Sequence, residues 1–261
     1  MKYITSIVLF LSLLPFCTCS GKQPQRKNPQ DPESELYNFS QANSSTVSSS
    51  SSSVSASIPL TNNLIAAYYF DNNLDDSSVH NRDLLDAGLQ NITFTSGQLG
   101  GAADLTSTSD YATNNTFPDT NITALTFCFW IKATAINGYI FHWWCTSGSY
   151  ECLAKTQSVG GDRIQFNIDN DQAQSETGTF YIDSWYHIAM VWENNSRSLF
   201  VDGEYAGGYT NTITPPAFTS AFSIGDGWSI SANGDFLIDD MFIYNTALNQ
   251  NQISNLMSRA D

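Results

Sequence analysis

Basic residues are scarce in this sequence. Lys and Arg number 10 in 261 residues, against 25 Asp and Glu, which gives a formal net charge of −15 at pH 7. Proteins that bind nucleic acid through its phosphates need clustered Lys and Arg, and the sequence has no such cluster. It therefore predicts no nucleic-acid partner. The acidic excess fits either a solubilising surface or a set of oxygen ligands for calcium.

Long hydrophobic runs are also missing. The apolar stretch Ile4–Phe16 follows Lys2 and is shorter than the roughly 20 residues that a membrane-spanning helix needs. It is typical of an export signal, and we predict a signal peptide over residues 1–19. Cleavage after Ser20 would release the chain, whereas lipidation of Cys19 would make it a lipoprotein. Both fates predict a secreted or cell-surface (outer-membrane lipoprotein) location, with membrane contact only through the lipid anchor.

Cysteine is sparse, with 5 residues and no Cys-x-x-Cys pair or Cys/His cluster of the kind that binds zinc. In an exported chain, thiols can pair. Cys145 and Cys152 flank a turn-like stretch, and paired strands on either side could bring them within disulfide reach. The alternatives for this pair are a disulfide bond or two thiols. Cys128 lies in the strongly apolar segment Phe127–Ile131 and is predicted to be a small buried side chain.

Residues 20–59 show no hydrophobic periodicity, and Ser44–Ser57 is almost entirely serine. Such a composition cannot bury enough apolar surface to offset the entropy lost on ordering. We therefore predict a Ser-rich disordered linker over residues 20–59, which holds the folded domain at 60–261 away from the envelope.

The folded part of the sequence has the patterns of β-strands. Arg163–Ile168 and Tyr186–Trp192 alternate with a period of two, and Ser198–Gly203 ends in the Asp-Gly pair that favours a tight hairpin. Only Asn249–Met257 resembles a helix. Further strands are predicted over Leu64–Phe70, Phe127–Ile131, Gly138–Trp144, Glu204–Gly207, Ala221–Gly225 and Phe236–Tyr244. Many short strands separated by turn residues predict an all-β sandwich or jelly roll.

Six segments resemble, in order, the sequence pattern of laminin-G-like jelly rolls of the concanavalin A-like superfamily. Leu64–Asp71, followed by Asn73 and the Asp-Ser-Ser run at 76–78, resembles the opening strand of that family. Ile238–Leu248 resembles its closing Ile-Asp-Asp-Val-x-Ile-Tyr-Asn-x-Ala-Leu strand. Between them lie Gly97–Asp104 with Asp110–Ala112, then Leu125–Lys132, Trp185–Ala189 and Leu199–Gly203.

The resemblance implies a two-sheet antiparallel jelly-roll sandwich over the domain at 60–261, in which the first and last strands lie side by side. The family includes adhesion modules, sugar-binding modules and accessory domains of larger enzymes. The fold therefore does not by itself decide the function.

The closeness of the first and last strands predicts a calcium site. It would bring together Asp71, Asp76, Asp239 and Asp240, and carboxylates only a few Å apart repel one another unless a cation lies among them. Similar jelly rolls hold a structural calcium near such positions. Alternatively, Asp71 and Asp76 satisfy the backbone of turns, as Asp often does.

Aromatic residues near the predicted loops indicate a ligand-binding surface. Trp144, Tyr150 and Trp228 are the candidates on which a sugar could stack. The alternative is that these rings fill the core, since one of Trp143 and Trp144 must face inward if the strand alternates. The remaining tryptophans, which are Trp130, Trp185 and Trp192, are predicted to be core residues.

Catalysis is not favoured. Glycosidases with this fold carry paired carboxylates on one strand in the pattern Glu-x-Asp-x-x-Glu, and the nearest segment here, Ile238–Phe242, has no glutamate. We therefore predict a non-catalytic extracellular binding or adhesion module whose partner is a glycan or a surface protein, with structural calcium. The alternatives are a structural envelope protein without a small-molecule ligand and a glycoside hydrolase.

Overall fold

The structure is a computed structural model that describes residues 61–89, 91–107, 109–117, 122–145, 151–157, 162–168, 171–175, 178–211, 218–226 and 235–258. The predicted signal peptide and linker lie outside these residues and stay predictions. The strands, in chain order, are β1 Leu64–Tyr68, β2 Leu85–Asp86, β3 Thr93–Ser96, β4 Gly101–Leu105, β5 Ala112–Asn114, β6 Ala124–Ala133, β7 Tyr139–Cys145, β8 Glu151–Gln157, β9 Arg163–Ile168, β10 Asp171–Gln174, β11 Tyr186–Glu193, β12 Ser196–Val201, β13 Glu204–Thr210, β14 Phe218–Ile224 and β15 Phe236–Tyr244. The helix α1 spans Gln250–Leu256.

The strands form two antiparallel sheets. One sheet has eight strands in the order β13-β12-β11-β6-β15-β4-β3, with β1 also paired to β15. The other has seven strands in the order β10-β9-β8-β7-β14-β5-β2. The predicted all-β two-sheet sandwich is confirmed, and so is the pairing of the first strand with the last.

Inward-facing side chains of both sheets form one hydrophobic core. Phe127 of β6 and Phe141 of β7 stack across the interface with ring centroids 4.3 Å apart. Trp143 of β7 lies 4.4 Å from Phe218 of β14. Inward-facing aromatic rings therefore pack both between the two sheets, as Phe127 and Phe141 do, and between neighbouring strands of one sheet, as Trp143 and Phe218 do.

The outer face of the eight-stranded sheet is covered by α1. Ile253 and Leu256 of the helix share a second buried cluster with Ala67, Val191 and Phe242. The helix begins at the N-cap residue Asn249 with a capping box to Gln252, which satisfies its first free N–H groups. Strand β6 lies between this helix layer and the core, so both of its faces are buried. It is therefore apolar along nearly its whole length.

Several boundaries match the predictions. The helix lies where Asn249–Met257 predicted it, and β15 has the predicted bounds. The predicted hairpin turn has its two central residues, Asp202 and Gly203, at φ 50° and 78°, as a type I′ turn requires. The first strand ends at Tyr68 rather than Phe70, because Phe70 has a φ of 55° and turns the chain away.

The tryptophans predicted to fill the core are only partly in it. Trp192 is a fully buried core residue. Trp130 is also buried, but it lies on the outer face of the eight-stranded sheet, where its Nε1 donates to the carbonyl of Met257 at 3.3 Å. Trp185 is half-buried. The prediction of burial is therefore confirmed for Trp192 and Trp130, although Trp130 is covered by the C-terminal segment and not by the other sheet, and it was wrong for Trp185.

Candidate functional site

Two strands, β4 and β1, pair with successive parts of β15 and leave a junction between them. β4 pairs with Phe236–Ile238, and β1 pairs with Met241–Tyr244 on the same side of β15. Asp239 and Asp240 occupy the two positions between these pairings. The chain that leaves β1 and the chain that enters β4 therefore both pass close to Asp239.

Asp71 and Asp239 meet at one turn, the segment Gly97–Gly101 between β3 and β4. The N–H of Gly101 donates to Asp71 Oδ1 at 2.5 Å, and the N–H of Leu99 donates to Asp239 Oδ2 at 2.8 Å. A Cβ atom at Gly97 would collide with Asp239 Oδ2 and with the carbonyl of Gly101, so only glycine fits there. We call Asp71, Asp239 and this turn the acidic corner.

Asp240 sits in a β-bulge. Its φ is 49°, and the register of β15 against β6 shifts between Asp239 and Phe242. The extra residue allows both Ile238 and Met241 to face the core. Asp240 is 1% exposed, and its backbone conformation is what re-aligns the closing strand.

Asp76 satisfies the backbone around it. Its Oδ1 accepts from the N–H of Ala67 at 2.9 Å and of Ser78 at 2.8 Å. Its Oδ2 accepts from the Ser78 hydroxyl and the Arg82 N–H, both at 2.8 Å. Four hydrogen bonds account for roughly all the acceptor positions of a carboxylate. This is the arrangement expected of an aspartate that organises a turn.

Of the four carboxylates predicted to form the calcium site, two lie at the acidic corner. Within the described ranges, no group of three or more His, Cys, Asp or Glu side chains is arranged to hold a metal ion. A hard cation at the corner would therefore need backbone carbonyl or water oxygens besides Asp71 and Asp239.

The outer face of the seven-stranded sheet carries the second candidate site. On β7, Phe141 and Trp143 face the core, whereas His142 and Trp144 face outward. Trp144 is half-buried, and its ring centroid lies 4.1 Å from that of His142, tilted by 40°. Of the two adjacent tryptophans, it is Trp144 that lies outside the core.

Uncharged polar side chains flank this pair. His142 is opposite Leu153 on one side and Ser223 on the other, and the register continues to Asn167 and Thr113. Leu153 is apolar, so we call the other four residues, His142, Ser223, Asn167 and Thr113, the polar row. The Ser223 hydroxyl donates to Thr113 Oγ1 at 3.0 Å, which fixes that end of the row.

Most of the other predicted site residues lie outside the part of the chain that the structure describes. Tyr150, Trp228 and Cys19 lie outside the described residues, as does the side chain of Cys145. Cys152 is buried and lies opposite Trp143 in the β7–β8 hairpin. The Cys145–Cys152 disulfide stays a prediction.

His142 was not identified as a site residue from the sequence. It is 1% exposed, and burial lowers its pKa to about 4, so the imidazole is neutral at physiological pH. Neither of its ring nitrogens has a hydrogen-bond partner among the described residues. The only signal in the sequence was its position two residues before Trp144, on the same face of a strand.

Comparisons with known proteins agree with the fold. A laminin-G family model, described as concanavalin A-like lectin/glucanases superfamily, matches residues 105–254. Domain 4 of AbnA, a GH43 extracellular arabinanase from Geobacillus stearothermophilus solved with arabinotriose, has a TM-score of 0.59 and 22% identity, over 74% of this chain and 97% of that one. No curated protein sequence matches the chain.

Two toxin domains have the same fold. The binding domain of Paraclostridial Mosquitocidal Protein 1 has a TM-score of 0.60 and 16% identity, over 76% of this chain and 52% of that one. The binding domain of botulinum neurotoxin serotype D has a TM-score of 0.56 and 17% identity, over 74% and 51%. This chain thus spans about half of each toxin domain.

Among the described residues, no helix has the length and apolar character needed to cross a membrane. The strand order, the pairing of the first strand with the last, and the family match all indicate the same fold. Since the family match covers more than half of the sequence, this chain belongs to the concanavalin A-like lectin/glucanase superfamily.

Proposed function

We propose that this chain is a non-catalytic extracellular module that binds a neutral glycan through the outer face of its seven-stranded sheet. The observation that carries the proposal is Trp144, which projects from that face beside the polar row. The arabinanase domain solved with arabinotriose and the toxin binding domains, which share the fold, support a binding role.

The chemistry of the face matches that of a sugar. A pyranose or furanose ring has an apolar face that packs on an indole, and hydroxyl groups that pair with neutral donors and acceptors. Trp144 offers the indole, and the half-buried Asn167 offers an amide group on the same face. The hydroxyls of Ser223 and Thr113 are buried in this face and bonded to each other. None of the polar row carries a charge at neutral pH, which favours neutral over acidic sugars.

Glycan binding by the purified chain tests the proposal. We expect binding to one or more neutral oligosaccharides on an array that includes arabinotriose, laminarin fragments and sialylated glycans, with no turnover of the bound sugar. Failure to bind any glycan would contradict the proposal and favour a surface-protein partner or a structural envelope role. Hydrolysis of a β-glucan would instead establish an enzyme.

A structural calcium at the acidic corner is the second part of the proposal. Two carboxylates from distant parts of the chain share the Gly97–Gly101 turn, and oxygen is the ligand that calcium prefers. The ion would hold the chain after β1 and the middle of β15 against the hairpin of β3 and β4. The proposed calcium ion would stabilise the fold and would take no part in a reaction.

Chelation of calcium should lower the thermal stability of the chain. At a free calcium concentration 100 times Kd, the ion stabilises the fold by about 2.7 kcal/mol, which corresponds to a Tm change of roughly 5–10 °C for a domain of this size. The measurement is a calorimetric scan with calcium or with EDTA. Asp239→Asn should abolish the difference, whereas Asp76→Asn should keep it. A Tm that is equal in both buffers would remove the calcium site.

The location of the module is proposed on the sequence alone. A signal peptide over residues 1–19, lipidation at Cys19 or free release, and a serine-rich linker over residues 20–59 would place the domain outside the cytosol at the end of a tether. There the Cys145–Cys152 pair can oxidise.

A further inference from the structure

His142 is a buried polar side chain that requires an explanation. It lies on the central strand of the seven-stranded sheet, 1% exposed, with the indole of Trp144 against one face of its ring. Its cross-strand neighbours are the apolar Leu153 and the hydroxyl of Ser223, which donates to Thr113. Among the described residues, neither Nδ1 nor Nε2 has a hydrogen-bond partner.

A neutral imidazole has one N–H donor and one nitrogen acceptor. Burying both without partners destabilises a protein, and most such groups in native structures are paired with protein, water or a ligand. An apolar side chain at this position would avoid that cost. His187 Nδ1 is also buried without a partner among the described residues. His142 differs because both of its ring nitrogens are unpaired and its ring lies against a half-buried indole, which points to a partner from outside the chain.

We propose that His142 is a hydrogen-bonding residue of a saccharide subsite in which Trp144 is the stacking residue. The subsite takes a neutral sugar that offers one hydroxyl as donor and another as acceptor to the two ring nitrogens. The inference rests on the proposed function and adds to it a residue and a selectivity.

Entry of the sugar requires the indole to move. The two ring centroids are 4.1 Å apart, which leaves no space for a sugar ring between them. An outward rotation of Trp144, whose side chain is half-buried, would expose the imidazole. The sugar then packs on the indole while its hydroxyls reach the ring nitrogens. Burial holds the imidazole neutral by lowering its pKa to about 4, so it offers no positive charge to a sialic or uronic acid.

The test replaces His142 with residues that differ only in hydrogen bonding. His142→Leu keeps a similar volume and removes both nitrogens, and we expect it to weaken binding of the best neutral oligosaccharide on the array at least about tenfold without lowering the Tm. His142→Asn keeps a donor and an acceptor and should recover most of the affinity. His187→Leu is the matched control, because His187 is an equally buried histidine on the other sheet, and it should leave the affinity unchanged.

The outcomes separate the inference from the proposed function. If the wild-type chain binds the oligosaccharide and His142→Leu binds it within twofold, the inference is overturned and the glycan-binding function stands. If the wild-type chain binds no glycan, both are overturned. Should His142→Leu fail to fold, the ring nitrogens of wild-type His142 can be followed by ¹⁵N NMR. A shift on saturation with the oligosaccharide supports the inference, and an unchanged spectrum overturns it.

Discussion

Asp76→Ala is expected to lower the free energy of unfolding by about 3–5 kcal/mol. The substitution removes the acceptor for the N–H groups of Ala67, Ser78 and Arg82 and for the Ser78 hydroxyl. The buried Ala67 N–H, left without a partner, costs about 1–3 kcal/mol, and each of the three part-buried bonds contributes about 0.5–1.5 kcal/mol. Since these groups link the end of β1 to the following loop, the loss should also loosen the approach to the acidic corner.

Chemical denaturation of the wild type and two variants measures this effect. Asp76→Asn keeps an oxygen that accepts from Ala67 and Ser78 but places an amide N–H₂ opposite the Arg82 N–H, so it should cost about half as much. Because Asp76 acts through protein hydrogen bonds, the loss should be equal in calcium and in EDTA. A change below about 1 kcal/mol would contradict the prediction, and a loss that disappears in EDTA would show that Asp76 acts through the metal instead.

The sequence predicted more of the fold than of the site. Alternation and turn residues located most strands, and the Asp-Gly pair located the hairpin of β12 and β13. Six of the described strands had weak patterns and were missed: the short strands β2 to β5 and β10, and β8, which has only Cys, Leu and Ala at its centre. Pairing with longer neighbours stabilises such strands, and a single-strand pattern does not contain that information.

The acidic corner was predicted from the closeness of the first and last strands, which the structure confirms. The sequence could not show that the Gly97–Gly101 turn lies between Asp71 and Asp239, because this depends on β4 and β1 sharing one edge of β15. The prediction also treated Asp239 and Asp240 as equivalent candidate calcium ligands. The bulge at Asp240 distinguishes them, and a bulge is a departure from the alternation on which the prediction was based.

The two adjacent tryptophans of β7 illustrate the same limit. Alternation required that one of Trp143 and Trp144 face the core, and only the packing of β7 against β6 shows that it is Trp143. Trp143 is therefore expected to contribute to stability, and the adjacent Trp144 to ligand binding. It also provides a matched pair of substitutions with opposite expected effects.

Trp143→Ala is expected to destabilise the fold by about 3–5 kcal/mol, as does removal of a large aromatic side chain from a packed core. The ring is fully buried, with centroids 5.0 Å from Phe117 and 4.4 Å from Phe218. Trp144→Ala removes an equally large ring that is half-buried on the outer face, and it should change the stability by no more than about 1 kcal/mol. The same variant should weaken neutral-glycan binding at least about tenfold, because the sugar loses its stacking surface.

Denaturation curves and titration calorimetry on both variants check the pair. Trp143→Phe serves as the control for the core, since it keeps an aromatic ring and should recover part of the lost stability. Trp144→Phe should likewise retain measurable sugar binding, because a phenyl ring can still stack. A Trp144→Ala variant that binds as tightly as the wild type would move the binding surface away from this sheet face. A Trp144→Ala variant as unstable as Trp143→Ala would show that both rings hold the sandwich together, leaving the outer face without a dedicated stacking residue.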